Sequence, residues 1–120
     1  MDERLSKAID FANYTVTLNN QKRLLKEKYQ EELIFYHNGC QFTITKELIT
    51  FVGLLVDKDN DSVVLTDDNG VPTKIDPLDE FYEEILNIYF TASNDYFLEY
   101  DVLKKQRSVE KLVGLEIDEG

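Results

Sequence analysis

Between Leu78 and Leu103, aromatic residues return every seven positions. Tyr82, Tyr89 and Tyr96 form one series, and Phe90 and Phe97 a second. Leu78, Phe81, Ile85, Ala92 and Leu103 fill much of the same broad face. Seven residues are close to two helical turns, so the stretch reads as a long helix with a wide apolar side. Such a side must be covered by something. A second helical pattern near the start of the chain is the natural partner: Leu5, Ile9, Ala12, Leu18, Leu25, Tyr29 and Leu33, with Phe11 and Tyr14 beside them. Residues 3–33 are expected to be helical. A kink is expected, if anywhere, where β-branched Thr15-Val16-Thr17 meets the weak helix formers Asn19-Asn20.

The period changes after Leu33. Ile34-Phe35-Tyr36 and Gln41-Phe42-Thr43-Ile44 flank Asn38-Gly39, a pair that supplies the positive φ angles of a type I′ turn, so a hairpin is expected. Thr45 then offers an N-cap to Leu48, Ile49, Phe51, Val52, Leu55 and Val56, which recur at helical spacing. A short helix over 46–57 is expected; Gly53 and the β-branched residues leave a strand over 49–56 as the alternative. Val63-Val64-Leu65 and Thr73-Lys74-Ile75 flank Asp67-Asp68-Asn69-Gly70 as a second hairpin, with Pro72 on an edge or just past the turn. Asp76 is expected to cap the last helix and Pro77 to open it, with the helix running to about 106. Ser108 would cap one more turn, ending at Gly114.

The order is α-ββ-α-ββ-α, an α+β fold. The simplest packing sets two long antiparallel helices, a coiled-coil-like hairpin, against two β-hairpins and a short helix at one end. Residues 1–107 are expected to form one domain, with 108–120 a C-terminal tail or short helix. Long helices joined through hairpins are a layout like prefoldin's, an analogy of shape alone.

Charge and composition narrow the function. The net charge of −11 resides in residues 46–101, with 14 acidic and 3 basic side chains, whereas 1–45 hold 6 of each and 102–120 hold 4 of each. An acidic surface repels nucleic-acid phosphate and anionic membrane, so neither is expected as a partner. No apolar run is long enough to span a bilayer, and the charged N-terminus is unlike a signal peptide. The single cysteine, Cys40, suits a reducing compartment.

Candidate chemistry is sparse. Asp57, Asp59 and Asp61 stand at the first, third and fifth positions of a calcium-loop pattern. Ser62 replaces its turn glycine and Asp68 its long bidentate glutamate, so a solvated loop is the expected reading. His37 and Cys40 would face each other across the first hairpin, but the chain holds no other His or Cys to complete a zinc site. No glycine-rich phosphate loop or nucleophile–base arrangement is present. No cofactor and no catalytic activity are expected.

The stripe Leu78, Phe81, Ile85, Tyr89, Tyr96 and Leu103 is the expected core or interface set. The tail carries Ser108, Val109, Leu112, Val113 and Leu115 beside a basic patch, either folding back or docking on a partner. It is similar to the short peptides with which phage proteins bind sliding clamps, although valine stands where an aromatic is common. The expected role is protein–protein assembly, with self-association. The alternatives are a replication or late-transcription accessory factor held on a sliding clamp by its tail, and an acidic nucleic-acid mimic inhibiting a host DNA-binding protein.

Two stretches carry a resemblance. Tyr89-Phe90-Thr91-Ala92-Ser93-Asn94-Asp95-Tyr96-Phe97-Leu98-Glu99-Tyr100, followed by Lys104-Lys105 and Arg107 to Val113, and Glu47-Leu48-Ile49-Thr50-Phe51-Val52 with Leu55-Val56-Asp57, resemble a family of small uncharacterised proteins of marine cyanobacterial tailed myoviruses. The likeness covers residues 8–115. It implies a phage origin and a location in the infected host's cytoplasm or in the virion. It implies no site residues.

Overall fold

The computed structural model describes the backbone of residues 2–119 and the side chains of residues 2–106. The elements are α1 (Glu3–Glu32), β1 (Ile34–His37), β2 (Cys40–Thr43), α2 (Lys46–Asp57), β3 (Val63–Thr66), β4 (Pro72–Ile75) and α3 (Leu78–Glu119). This is the α-ββ-α-ββ-α order, and α1 and α3 pack together. The chain forms two compact units: Tyr29–Asp95, and Met1–Lys28 with Tyr96–Gly120. The first is called the head below, the second the helical unit.

The head is built from two antiparallel hairpins, α2 and the nearby parts of the long helices. β1 pairs with β2 in the register Ile34↔Thr43 to His37↔Cys40. Asn38 and Gly39 both take positive φ, 51° and 77°, as a type I′ turn requires. β3 pairs with β4 from Val63↔Ile75 to Thr66↔Pro72, which puts Pro72 at the end of the ladder. α2 starts at its expected cap: the Leu48 N–H donates to Thr45 Oγ1 at 3.1 Å.

One contiguous apolar cluster holds these pieces together. Phe42, Ile44, Val52, Leu65, Ile75, Leu78, Phe81, Ile85 and Ala92 are buried in it, with Leu33 at its edge. Phe81 is its hub, with ring centroids 5.7 Å from Phe42, 5.9 Å from Phe35 and 5.3 Å from His37. Each fully buried Val, Leu, Ile or Phe among them stabilises the fold by about 1.5–3 kcal/mol.

One point left open by the sequence closes, and two expectations change. First, α1 runs unbroken through Thr15 to Asn20. The Thr15 hydroxyl donates to the Phe11 carbonyl at 3.0 Å, so this β-branched side chain satisfies itself along the helix. Second, Asp76 does not cap α3. The Asp76–Pro77 peptide is cis. The Pro77 carbonyl accepts from Phe81 N–H at 3.4 Å, which puts Pro77 in the capping position. The Leu78 N–H is taken instead by the Asp61 carbonyl at 2.9 Å. Third, α3 continues past residue 106 to Glu119. A lone Ser or Gly inside a run of helix formers costs only about 1 kcal/mol or less, so neither Ser108 nor Gly114 ends it.

Candidate functional site

Two kinds of surface were singled out by sequence: the polar loops and turns, and the apolar faces of the long helices. The loops resolve into structural roles. Asp59 takes φ 63° just past α2. Its N–H donates to the Val56 carbonyl, and the Asn60 N–H to that of Leu55, both at 3.0 Å. This double closure of a helix end is a Schellman motif, with aspartate in the left-handed position glycine usually takes. Asp61 uses its backbone carbonyl on Leu78. Asp57, Asp59 and Asp61 are therefore spaced by a helix cap. Among the described residues no three His, Cys, Asp or Glu side chains gather as a metal site.

The acidic turn Asp67-Asp68-Asn69-Gly70 fastens the two hairpins to each other. Asp67 is buried. Its Oδ1 accepts from the Val71 N–H at 2.8 Å and the Asn69 N–H at 2.9 Å, and its Oδ2 from the Gln41 N–H at 3.3 Å. The Val71 N–H above all, helped by those of Asn69 and Gln41 and by the Cys40 thiol, holds this carboxyl below the usual aspartate range. Desolvation pushes the other way and is outweighed. Asp68 completes the join. Its N–H donates to the Gln41 carbonyl at 2.8 Å, and its carboxylate accepts from Thr43 N–H at 3.1 Å and Thr43 Oγ1 at 2.6 Å. The outer edge of β2, otherwise an unpaired row of donors and acceptors, is closed by these two side chains.

His37 and Cys40 do meet across the first hairpin. The His37 ring stands edge-on to Phe81 at 77°, and its Nε2 is buried with no hydrogen-bond partner among the described residues. Cys40 is half-buried beside Asp67. The pair contributes packing to the head.

The helical faces divide the expected stripe. Leu78, Phe81, Ile85 and Ala92 are buried in the head core, and Tyr89 is half-buried against it. Tyr29 Oη and Ser93 Oγ lie 3.2 Å apart on the same side. Tyr96 and Leu103 belong to the helical unit. Tyr96 is half-buried with its ring edge-on to Tyr100 at 6.0 Å, and Leu103 is buried. There α1 and α3 run antiparallel. Lys28 forms an ion pair with Glu99, Lys22 Nζ lies 5.7 Å from the Tyr100 ring centre, and Gln21, Leu24 and Leu25 share an open groove of about 310 Å³ with Val102, Leu103 and Gln106.

The two aromatic series thus have opposite fates. Tyr82, Tyr89 and Tyr96 are all half-buried, whereas Phe90 is 58% and Phe97 70% exposed. One residue step turns a helix by about 100°, so adjacent series cannot share a narrow contact side. Leu98 and Val102 are exposed as well. They escape the seven-residue pattern, and only a four-residue step links them. The tail residues Ser108, Val109, Leu112, Val113 and Leu115 lie outside the residues whose side chains are described.

α1 is exposed along most of its length. None of its described residues is buried. Leu5, Ile9, Phe11, Val16 and Leu24 are all exposed. The residues that do turn inward, Tyr14, Leu18, Gln21, Leu25 and Tyr29, are half-buried. The single apolar period read from sequence is in fact two. From Ala12 to Leu18 is six residues, a turn of about 240° on a helix, so Leu5, Ile9 and Ala12 face away from Leu18 and Leu25.

No helix among the described residues is long and apolar enough to cross a membrane. Compared with known proteins, the chain matches no family model, no curated protein and no solved structure.

Proposed function

We propose that this is a non-enzymatic protein–protein assembly protein that associates with itself through its long helices. The supporting observation is α1: thirty helical residues, none of the described ones buried, with large apolar side chains exposed along it. An isolated helix of that length gains little from backbone hydrogen bonding alone and is normally held by tertiary burial of an apolar face. Exposed apolar area on this scale marks an interaction surface rather than a finished exterior. Phe90, Phe97, Leu98 and Val102 extend the same argument to α3.

The resemblance to small myovirus proteins fits a role as a virion component, assembly chaperone or accessory factor, acting in the cytoplasm of an infected bacterium or in the virion. The reading rests on exposed apolar helix faces, not on any reactive group. The test is solution mass by light scattering across a dilution series, with calcium added or withheld. A defined oligomer at micromolar concentration, indifferent to calcium, is expected. A single-chain mass throughout would overturn self-association. A mass that changes with calcium would instead give the Asp57–Asp61 loop a function.

A further inference from the structure

We propose that Asn38, at the tip of the first hairpin, is a site of spontaneous deamidation, and that the Asp67 carboxylate shields the chain's other Asn-Gly pair from the same reaction. The inference is independent of the assembly reading.

The chain holds two such pairs, Asn38-Gly39 and Asn69-Gly70, and all four residues are exposed. Glycine has no side chain to hinder its backbone nitrogen, so that nitrogen can attack the side-chain amide of the asparagine before it. At the first pair, the Gly39 nitrogen gives up its proton and bonds to Asn38 Cγ. The Cγ–Nδ2 bond breaks, and Nδ2 leaves with a proton as ammonia. Water then opens the five-membered imide. Cleavage between the nitrogen and Cγ gives aspartate. Cleavage between the nitrogen and the main-chain carbonyl gives isoaspartate, whose backbone runs through the former side chain. Either product turns a neutral amide into a carboxylate.

Sequence and exposure do not separate the two pairs; hydrogen bonding does. A Cβ at either glycine would meet no atom within 4 Å, so neither approach is blocked by bulk. The ring closes only when the glycine nitrogen swings beside Cγ. The left-handed backbone of a type I′ turn, φ 51° at Asn38, does not present it. The reaction therefore runs from a locally opened turn, and the cost of opening sets its rate. At the first pair the Gly39 N–H has no hydrogen-bond partner among the described residues. Only the end of the ladder, His37 opposite Cys40, closes this turn. At the second pair the attacking group itself is engaged: the Gly70 N–H donates to the Asp67 carbonyl at 3.0 Å. Asp67 Oδ1 holds the N–H groups of Asn69 and Val71 on either side, and the Asp67 N–H donates to the Val71 carbonyl at 2.9 Å. Four hydrogen bonds must yield there before the chain can rotate.

The modification has a consequence for the head. The first turn keeps β1 and β2 in the register that brings Phe35, His37 and Phe42 to Phe81. A two-residue type I′ turn has no place for the extra backbone atom of isoaspartate, and a shifted register would carry these rings away. Conversion of Asn38 therefore loosens the head.

The experiment ages the full chain in mildly alkaline buffer, folded and in urea. Both pairs are followed by proteolysis and mass spectrometry, with fragmentation separating isoaspartate from aspartate. Folded, Asn38 is expected to convert about tenfold or more faster than Asn69, the effect of a few hydrogen bonds on the cost of opening. In urea the two are expected to convert at similar rates. Asp67→Ala is expected to speed Asn69 alone. Asn38→Gly keeps the positive φ of the turn and is expected to hold its urea midpoint on ageing, while the wild type loses stability. If Asp67→Ala unfolds the head, both its pairs convert at the urea rate, and the wild-type comparison decides alone. Conversion of Asn69 as fast as Asn38 in the folded wild type overturns the proposal. So does an Asn38 that stays intact after the urea sample has fully reacted.

Discussion

The head and the helical unit are built from the same two long helices, yet they are held in different ways. In the head, the α3 residues Leu78, Phe81, Ile85 and Ala92 meet side chains from two hairpins and a helix, and all are buried. In the helical unit α3 meets only α1, and among the described residues only Leu103 is buried. A single helix covers a stripe about 100° wide on its neighbour, too narrow for faces as broad as these. What surrounds an apolar face, and not its periodicity, decides whether it becomes core.

The sharpest way to break that contrast is to truncate one side chain in each unit. Phe81→Ala empties the hub of the head's aromatic cluster and is expected to cost about 3–5 kcal/mol. Leu103→Ala lies beside an open groove that its neighbours and water can occupy, and is expected to cost less than about 2 kcal/mol. Urea unfolding followed by circular dichroism measures both. Equal losses would mean that the helical unit has a core as well formed as the head's. The same contrast changes what Tyr89 and Tyr96 report: Tyr89→Asp strikes the head core, whereas Tyr96→Asp acts only on the helix pair.

A smaller effect is expected where the two hairpins join. Asp68→Ala removes the acceptor for the Thr43 N–H, the Thr43 hydroxyl and the Gln41 amide, and is expected to cost about 1–3 kcal/mol. Asp67 sets a pH dependence. Its carboxyl is held below the usual aspartate range when folded, so its contribution is full at neutral pH and starts to fall where an ordinary, unfolded aspartate takes up its proton. It is lost as pH falls further, through the folded value. Asp67→Asn is therefore expected to destabilise the head at pH 7 and to converge on the wild type in strong acid. A constant difference between the two at all pH values would remove the carboxylate's role.

Much of this architecture could be read from residues. Asn38-Gly39, Thr45 and the breaks at Leu33 and Asp57 are local chemistry, and each element they bound appears where expected. The stripe was also visible, but its division was not. Tyr89 and Phe90 are neighbours in sequence, and only the hairpins and α2, brought in from elsewhere in the chain, decide which of the two is half-buried. Asp67-Asp68 read as an ordinary turn because its partners, Gln41 and Thr43, are more than twenty residues away. The second period in α1 was hidden by its own regularity: a six-residue step between two apolar rows looks like an irregular single row until the helix is drawn in three dimensions.

Gly53 offers a finer test within the head. A Cβ there would stand 3.0 Å from the Tyr82 hydroxyl oxygen and 3.1–3.2 Å from ring carbons, so α2 approaches this ring through its one side-chain-free position. Gly53→Ala raises helix propensity by about 1 kcal/mol, which crowding of the ring is expected to cancel. In a Tyr82→Ala background the crowding is gone and the gain should appear. The coupling in a double-mutant cycle is expected to be about 1 kcal/mol. Strict additivity would show that the ring moves aside freely.

The least effect is expected from the most visible contact of the helical unit. Lys28 and Glu99 link α1 to α3 directly, but their side chains are 51% and 38% exposed. A pair so open to water is screened and must also fix two long side chains, so its coupling is expected at roughly 0.2–1 kcal/mol. A double-mutant cycle with Lys28→Ala and Glu99→Ala in low salt reads it, and 1 M salt should abolish most of it. A coupling well above 1 kcal/mol that survives salt would mean that water is excluded from this site in solution. The helical unit would then be covered by something a single copy does not provide, and the contrast with the head would belong to the isolated chain alone.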